Sequence, residues 1–253
     1  MKRLRCGSPG RARGFTLVEL LLVMGIIVLM VGLLMPAVNA AIVAARVAGT
    51  ANLIANLSTG LESFRADWGI YPPSDSQHDN GQRSRGWEAV AYYLMGPAGT
   101  GWGANAAGTS YYRRSPFGGE ATAAYGPYFK PEAGSGSTDY VMDAFKPGKY
   151  IFYCRYEPSE NPSYDVTDNN AVDSTMVNNF ASQSPHFELL VRPKDPSTTG
   201  RRWVRADYLL MSSGADRLWG YVVEDSSGKP AAASQTDVDN GLAICDDVCN
   251  FMH

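Results

Sequence analysis

Between Phe15 and Ala45 the chain carries one charged side chain, Glu19, in a run that is otherwise almost wholly apolar or small. Residues 15–35 alone make a helix about 31 Å long at ~1.5 Å per residue, enough to cross the hydrocarbon core of a bilayer. Such a run has to be placed in lipid or shared with other apolar surfaces. Lys2, Arg3, Arg5, Arg11 and Arg13 stand just before it with no acid among them. A basic flank of this kind marks the cytoplasmic side of a membrane, so the rest of the chain is expected outside. A carboxylate within lipid costs at least about 2.5 kcal/mol, and Glu19 therefore asks for a functional reason.

An ordinary secretory signal peptide is the plainest reading of residues 1–35, with Asn39-Ala40-Ala41 as a small-residue cleavage site. It leaves both Glu19 and the Gly14-Phe15 junction unexplained. The stretch Gly14-Phe15-Thr16-Leu17-Val18-Glu19, running on to Pro36, resembles the N-terminus of type IV pilins and type II secretion pseudopilins. In that family a prepilin peptidase cuts after the glycine, the new N-terminal phenylalanine is methylated, and the glutamate five residues in guides assembly. The resemblance thus implies processing and methylation at Gly14 and Phe15 and an assembly role for Glu19. The helix is expected to turn Glu19 away from its own terminus, toward the Phe15 α-amine of a neighbouring copy.

Removing the basic leader moves the formal net charge from −3 to about −8, which leaves nothing to neutralise phosphates and disfavours nucleic-acid binding. Cys6 leaves with the leader. Cys154, Cys245 and Cys249 remain, and an oxidising compartment permits one disulfide among them without the sequence choosing the pair. Cys245 and Cys249 are poor zinc ligands, since the nearest histidine is His253.

Beyond Pro36, Val43, Val47, Thr50, Ile54, Leu57, Leu61 and Phe64 recur at spacings of four and three, one face of a helix half-buried against a sheet. Helix 15–66 would be about 78 Å long at ~1.5 Å per residue, a length that makes sense when neighbouring copies share its burial. Pro36 predicts a kink or local melting. Gly69 is the expected helix stop and Pro72 forbids helix at Tyr71. Asp67-Trp68-Gly69-Ile70-Tyr71-Pro72 also resembles the "G-x-Y-P" that closes the long helix of major pseudopilins.

Residues 74–140 are rich in Gly, Ser, Tyr and Trp, with a short helix expected at Trp87–Leu94, ended by Gly96-Pro97. Gly99–Gly103 lacks the Lys-Ser/Thr of a phosphate loop and reads as a plain loop. Lys149–Tyr156, Phe187–Val191, Trp203–Met211 and Leu218–Val223 read as strands of an antiparallel sheet. Helix first and strands later give an α+β class. The resemblance sharpens that to a pilin fold, a long N-terminal helix (transmembrane half plus amphipathic half) packed on the sheet. The expected organisation is a leader at 1–14, a transmembrane and filament-core helix at 15–38, an amphipathic helix and its stop at 39–73, and a β-rich domain at 74–253.

Asp143–Tyr150 resembles the "D-P-W-G-N-P-Y" that leads into the pseudopilin sheet. Asp207–Asp216 and Cys245–Phe251 resemble two segments that, in major pseudopilins, frame a calcium loop. The resemblance therefore implies Ca2+ on Asp216 with Asp246 or Asp247, and such hard oxygen ligands suit that ion. The alternative is that these acids are simply solvated. His78, His186 and His253 lie outside any nucleophile or zinc-hydrolase motif, and Glu62 with Asp67 read as surface residues, so no enzyme is expected. By resemblance the chain is a structural subunit of a type II secretion pseudopilus. It would sit in the bacterial inner membrane as a single-pass protein with a periplasmic domain. Its implied partners are prepilin peptidase, copies of itself or related pseudopilins, membrane lipid and the inner-membrane assembly platform. A type IV pilin, a minor pseudopilin at a filament tip, or a membrane-anchored surface-binding module remain open.

Overall fold

The structure is a computed structural model that describes residues 16–74, 86–104, 114–131, 136–137, 140–156, 206–215, 222–224, 230–232, 245 and 248–250. Phe187–Val191, expected as a strand, lies outside them. The chain divides into two units, residues 1–44 and 45–253.

Helix α1, Leu17–Trp68, crosses that division. In the first unit its side chains from Leu17 to Val43 are exposed, and an 18-residue window reaches a mean hydropathy of 2.9 with none of it buried. One helix near the N-terminus is thus long and apolar enough to cross a membrane. The helix runs on through Pro36, and the local melting expected there is not present. A proline removes its own N–H and therefore one ladder bond. The turns on either side keep their bonds, and strong helix formers such as Leu33, Leu34 and Met35 surround the site.

Burial begins later than the apolar spacing predicts. Thr50, Ile54, Leu57, Gly60, Leu61 and Phe64 are buried, whereas Val43 and Val47 stay 41% and 37% exposed. The periodicity marks a face correctly, but burial along that face needs a partner element, and the domain supplies one only from about Thr50. Helix α1 stops where Gly69 takes φ 80°, its N–H donating to the Arg65 carbonyl at 2.7 Å. A left-handed residue there caps a last carbonyl, and glycine adopts it without the Cβ penalty.

Helix α2, Gly86–Met95, is apolar nearly all round and nearly all buried, as a helix inside a core must be. It packs on strands β4 (Tyr140–Val141) and β5 (Phe152–Arg155). After a tight turn at Pro97–Gly99 the chain enters β1, Trp102–Gly103, which pairs antiparallel with β2, Ala124–Tyr125. A Cβ on Gly103 would sit 2.0 Å from the Ala123 carbonyl oxygen, so the close strand approach requires glycine. The glycine run at 99–103 is thus a packing device within a loop and strand.

The central sheet has the order β5-β6-β9, with β6 at Tyr208–Ser212 and β9 at Val248–Cys249, all antiparallel. Two further antiparallel pairs are β3 (Gly136–Ser137) with β4, and β7 (Val222–Glu224) with β8 (Pro230–Ala232). The fold is α+β with antiparallel sheets. Ile54, Leu57, Leu61 and Phe64 of α1, Val90 and Leu94 of α2, Tyr153 of β5 and Leu210 of β6 share one core. Alternation puts Tyr153, Tyr208 and Leu210 on that face, while Cys154, Leu209 and Met211 point to the other and are buried as well.

Phe64 anchors the aromatic part of the core, edge-on to Tyr93, Phe117 and Tyr128. Asp143 pins the approach to the sheet. Buried itself, it accepts from the backbone N–H groups of Phe145 and Lys149 with Oδ1, and from the Ser212 hydroxyl with Oδ2 at 2.7 Å. The next residue, Ala144, donates its N–H to Thr50 Oγ1 on α1.

Candidate functional site

Gly14 and Phe15 lie outside the described residues, which begin at Thr16. Glu19 is described, in the first turn of α1 and fully exposed to the surroundings. Thr16 is the N-cap of the helix, and its carbonyl accepts the first helical bond from Leu20 N–H at 3.2 Å. The Glu19 N–H donates to Thr16 Oγ1 at 3.3 Å. In return Glu19 Oε2 accepts from the Thr16 backbone N–H and from its hydroxyl, both at 2.9 Å.

This is a capping box, with the N-cap threonine and the third helical residue satisfying each other's backbone donors. It corrects the expectation that Glu19 points away from its own terminus. Every Cα–Cβ bond of an α-helix tilts toward the N-terminus, so a glutamate in the first turn reaches back to the cap with little strain. The carboxylate also meets the positive end of the helix dipole there. Sequence reasoning missed the box, although its signature, Thr-x-x-Glu before an apolar run, is plain in Thr16-Leu17-Val18-Glu19.

The other end of α1 carries a second polar group. The Tyr71 hydroxyl donates to Glu62 Oε1 at 2.9 Å and accepts from Arg65 Nη1 at 2.8 Å. Arg65 also lies over the Tyr71 ring, 4.8 Å from its centroid, and bridges to Asp207 Oδ2 at 3.2 Å. Both members of that ion pair are about half exposed, so its electrostatic share is small. Burial, with the Glu62 hydrogen bond behind it, pushes the Tyr71 phenol up to about 12. On the neighbouring side the Trp68 indole N–H donates to the Tyr128 hydroxyl, which donates to Asp67 Oδ2. Burial and Asp67 raise the Tyr128 phenol too. Glu62 and Asp67 are exposed, each held by a tyrosine, and together they fix where the helix ends against the domain.

Asp216, Asp246 and Asp247 lie outside the described residues, so the carboxylates expected to hold calcium have no described geometry. The two segments that carry them do meet. Ser212 pairs with Val248 and Met211 with Cys249, while Asn250 continues the ladder. Its side chain accepts from Leu210 N–H at 2.7 Å and donates to the Tyr208 carbonyl, and its N–H donates to the Leu210 carbonyl. The chain thus leaves β6 after Ser212 and enters β9 at Val248 from the same end of the sheet. Among the described residues no three His, Cys, Asp or Glu side chains gather closely enough to hold a metal ion. No family model matches this chain, and neither the curated proteins nor the solved structures compared with it include a match.

Proposed function

We propose that this chain is a prepilin of the type IV pilin superfamily, a structural subunit of the pseudopilus of a type II secretion system. The observation that carries the reading is one contiguous stretch: a basic leader ending in Gly14, then Phe15, then an apolar helix with Glu19 in its first turn. Supporting it, the helix is capped at Thr16, next to the proposed cut, and leaves its apolar side chains exposed from Leu17 to Val43. A surface of that size has to enter lipid or meet other helices. Residues of α1 between 50 and 64 share a core with β5 and β6, a layout compatible with a pilin fold.

On this reading prepilin peptidase releases Phe15 on the cytoplasmic face of the bacterial inner membrane. The domain lies in the periplasm, and the helix is drawn by an assembly platform into a filament with copies of itself or related subunits. The capping box lowers the cost of holding Glu19 in lipid before assembly, because the carboxylate keeps two donors of its own chain. A second reading, a type IV pilin or a minor pseudopilin at a filament tip, is favoured by the size of residues 74–140, which supply α2 and part of the aromatic core.

Mass spectrometry of the chain recovered from membranes tests processing. A mature N-terminus at methylated Phe15 is expected, with Gly14→Leu leaving the full precursor. An N-terminus near Ala40 means ordinary signal-peptidase cleavage and ends the proposal. Calcium is part of the proposal by resemblance to the pseudopilin loop, with Asp216 and Asp246 or Asp247 as ligands. A bound ion would stabilise the folded domain by mass action, so chelator should lower Tm and added calcium restore it. An unchanged transition removes the ion from the reading.

A further inference from the structure

We infer that a cleft between α1 and the loops beside it binds the headgroup of an anionic phospholipid. Residues of α1 between Gly49 and Asn56 form one wall, and Phe129–Lys130 with Met142–Ala144 form the other, around about 250 Å³. Both walls belong to the unit of residues 45–253. Gly49 keeps one end open, since a Cβ there would touch the Ala144 Cβ at 3.4 Å.

The floor of the cleft is apolar and its rim is not. Phe129 is buried and Leu53 and Met142 half-buried, while Asn52, Asn56 and Lys130 are exposed. Asn52 and Asn56 stand one turn apart on the same helix face. Among the described residues no hydrogen bond or ion pair engages their amides or the Lys130 ammonium. Asp143 is the one acid in the lining, and its oxygens already accept from Phe145, Lys149 and Ser212. Arg46 lies three residues before Gly49, about 60° round the helix from it, and α1 carries no acid between Glu19 and Glu62. An apolar recess edged by carboxamides and cations fits a ligand with a phosphate, hydroxyls and an apolar arm.

Position along the helix selects lipid over a soluble anion. Arg46 follows Val43, where the exposed apolar stretch ends, by less than one turn of α1. Lipid around that stretch brings its phosphates to the start of this face, and basic side chains at that level attract anionic headgroups. A second copy is a poor anionic occupant, because without its leader the chain carries a formal net charge of about −8 and copies repel. The inference rests on the membrane placement proposed above.

The test places the full chain in phosphatidylcholine nanodiscs that contain a photoreactive phosphatidylglycerol, its reactive group on the headgroup or on an acyl chain. The headgroup probe should label the peptides that carry Asn52–Asn56 and Phe129–Ala144. Excess phosphatidylglycerol should compete that label away, and excess phosphatidylcholine or inorganic phosphate should not. Lys130→Ala should lower it about fivefold, and adding Asn52→Ala and Asn56→Ala should lower it further. Label on the basic leader should be unchanged by these exposed substitutions. No label at the cleft, equal competition by phosphatidylcholine, or label unmoved by all three substitutions overturns the site. Competition by inorganic phosphate, or loss of label in discs holding two copies of the chain, overturns lipid as the occupant. The acyl-chain probe reads the anchor separately and should label Leu17–Val43. Its failure there overturns the placement and the site together, whereas failure of the headgroup probe alone overturns only the site.

Discussion

At the residue scale the domain relies on a few polar side chains that each serve two elements. Tyr71 is the clearest, lying just past the helix stop and taking partners from α1 on both sides, Glu62 and Arg65. Its ring also meets Tyr208 of β6 edge-on, with centroids 4.9 Å apart. Tyr71→Phe keeps the ring but removes the hydroxyl's bonds to Glu62, Arg65 and Asp207, and should cost about 1–2 kcal/mol in a denaturant titration at pH 7. The same residue gives a pH signature. In the unfolded chain the phenol ionises near its ordinary value of 10, while in the folded domain it holds its proton to about 12. Between those values the folded state binds more protons, so the stability contributed by Tyr71 is complete below pH 10 and is lost as pH rises toward 12. Tyr153 and Tyr208, also raised chiefly by burial, act in the same direction. Stability should therefore fall steeply above pH 10, and Tyr71→Phe should flatten part of that fall. A parallel profile for wild type and variant would mean that Tyr71 keeps an ordinary phenol.

At the element scale the weak points are joints between helix and sheet, and Asp143 holds one of them. Asp143→Ala strands two backbone N–H groups and the Ser212 hydroxyl in a buried place, and should destabilise the domain by about 3 kcal/mol. Asp143→Asn keeps an oxygen for the backbone donors and should cost about 1 kcal/mol. Equal losses in a urea titration would show that charge, and not the acceptor geometry, matters there. The sequence made the class of element legible wherever pattern and punctuation agreed. Helix α1 follows from its apolar spacing and Gly69, α2 from the apolar run ending at Gly96-Pro97, and β5 and β6 from β-branched and aromatic runs. Less could be read where context decides. The spacing of Val43 and Val47 matches that of Leu57 and Leu61, but no described element covers them. Pro36 looks like a breaker, yet the turns around it hold the helix. The pairing of β6 with the distant β9 has no local signal at all, because Asn250 reads as a polar residue near a chain end until it meets Leu210 and Tyr208.

At the scale of the whole molecule one helix has two duties: residues 50–64 help to build the domain core, while Leu17 to Val43 remain exposed. The proposed assembly turns on the single carboxylate in that exposed part. In the single chain Glu19 is satisfied by Thr16, so pairing with a neighbouring copy has to replace hydrogen bonds already made. A cation is the partner able to do so, and the proposed processing would create one, the α-amine of Phe15. An ion pair in lipid offsets part of both desolvation costs and sets one axial offset between subunits. Glu19→Ala removes that attraction, relieves the burial cost, and costs the helix start only the capping and dipole contribution of one side chain. The expected result is a mature, inserted chain that forms few or no filaments. Thr16→Val separates assembly from fraying: it also breaks the capping box, yet keeps the carboxylate and should still give filaments. Filaments of normal abundance and spacing from Glu19→Ala would show that Glu19 is a helix cap and nothing more. Loss of filaments from both variants alike would place the requirement in the cap itself, not in a contact between subunits.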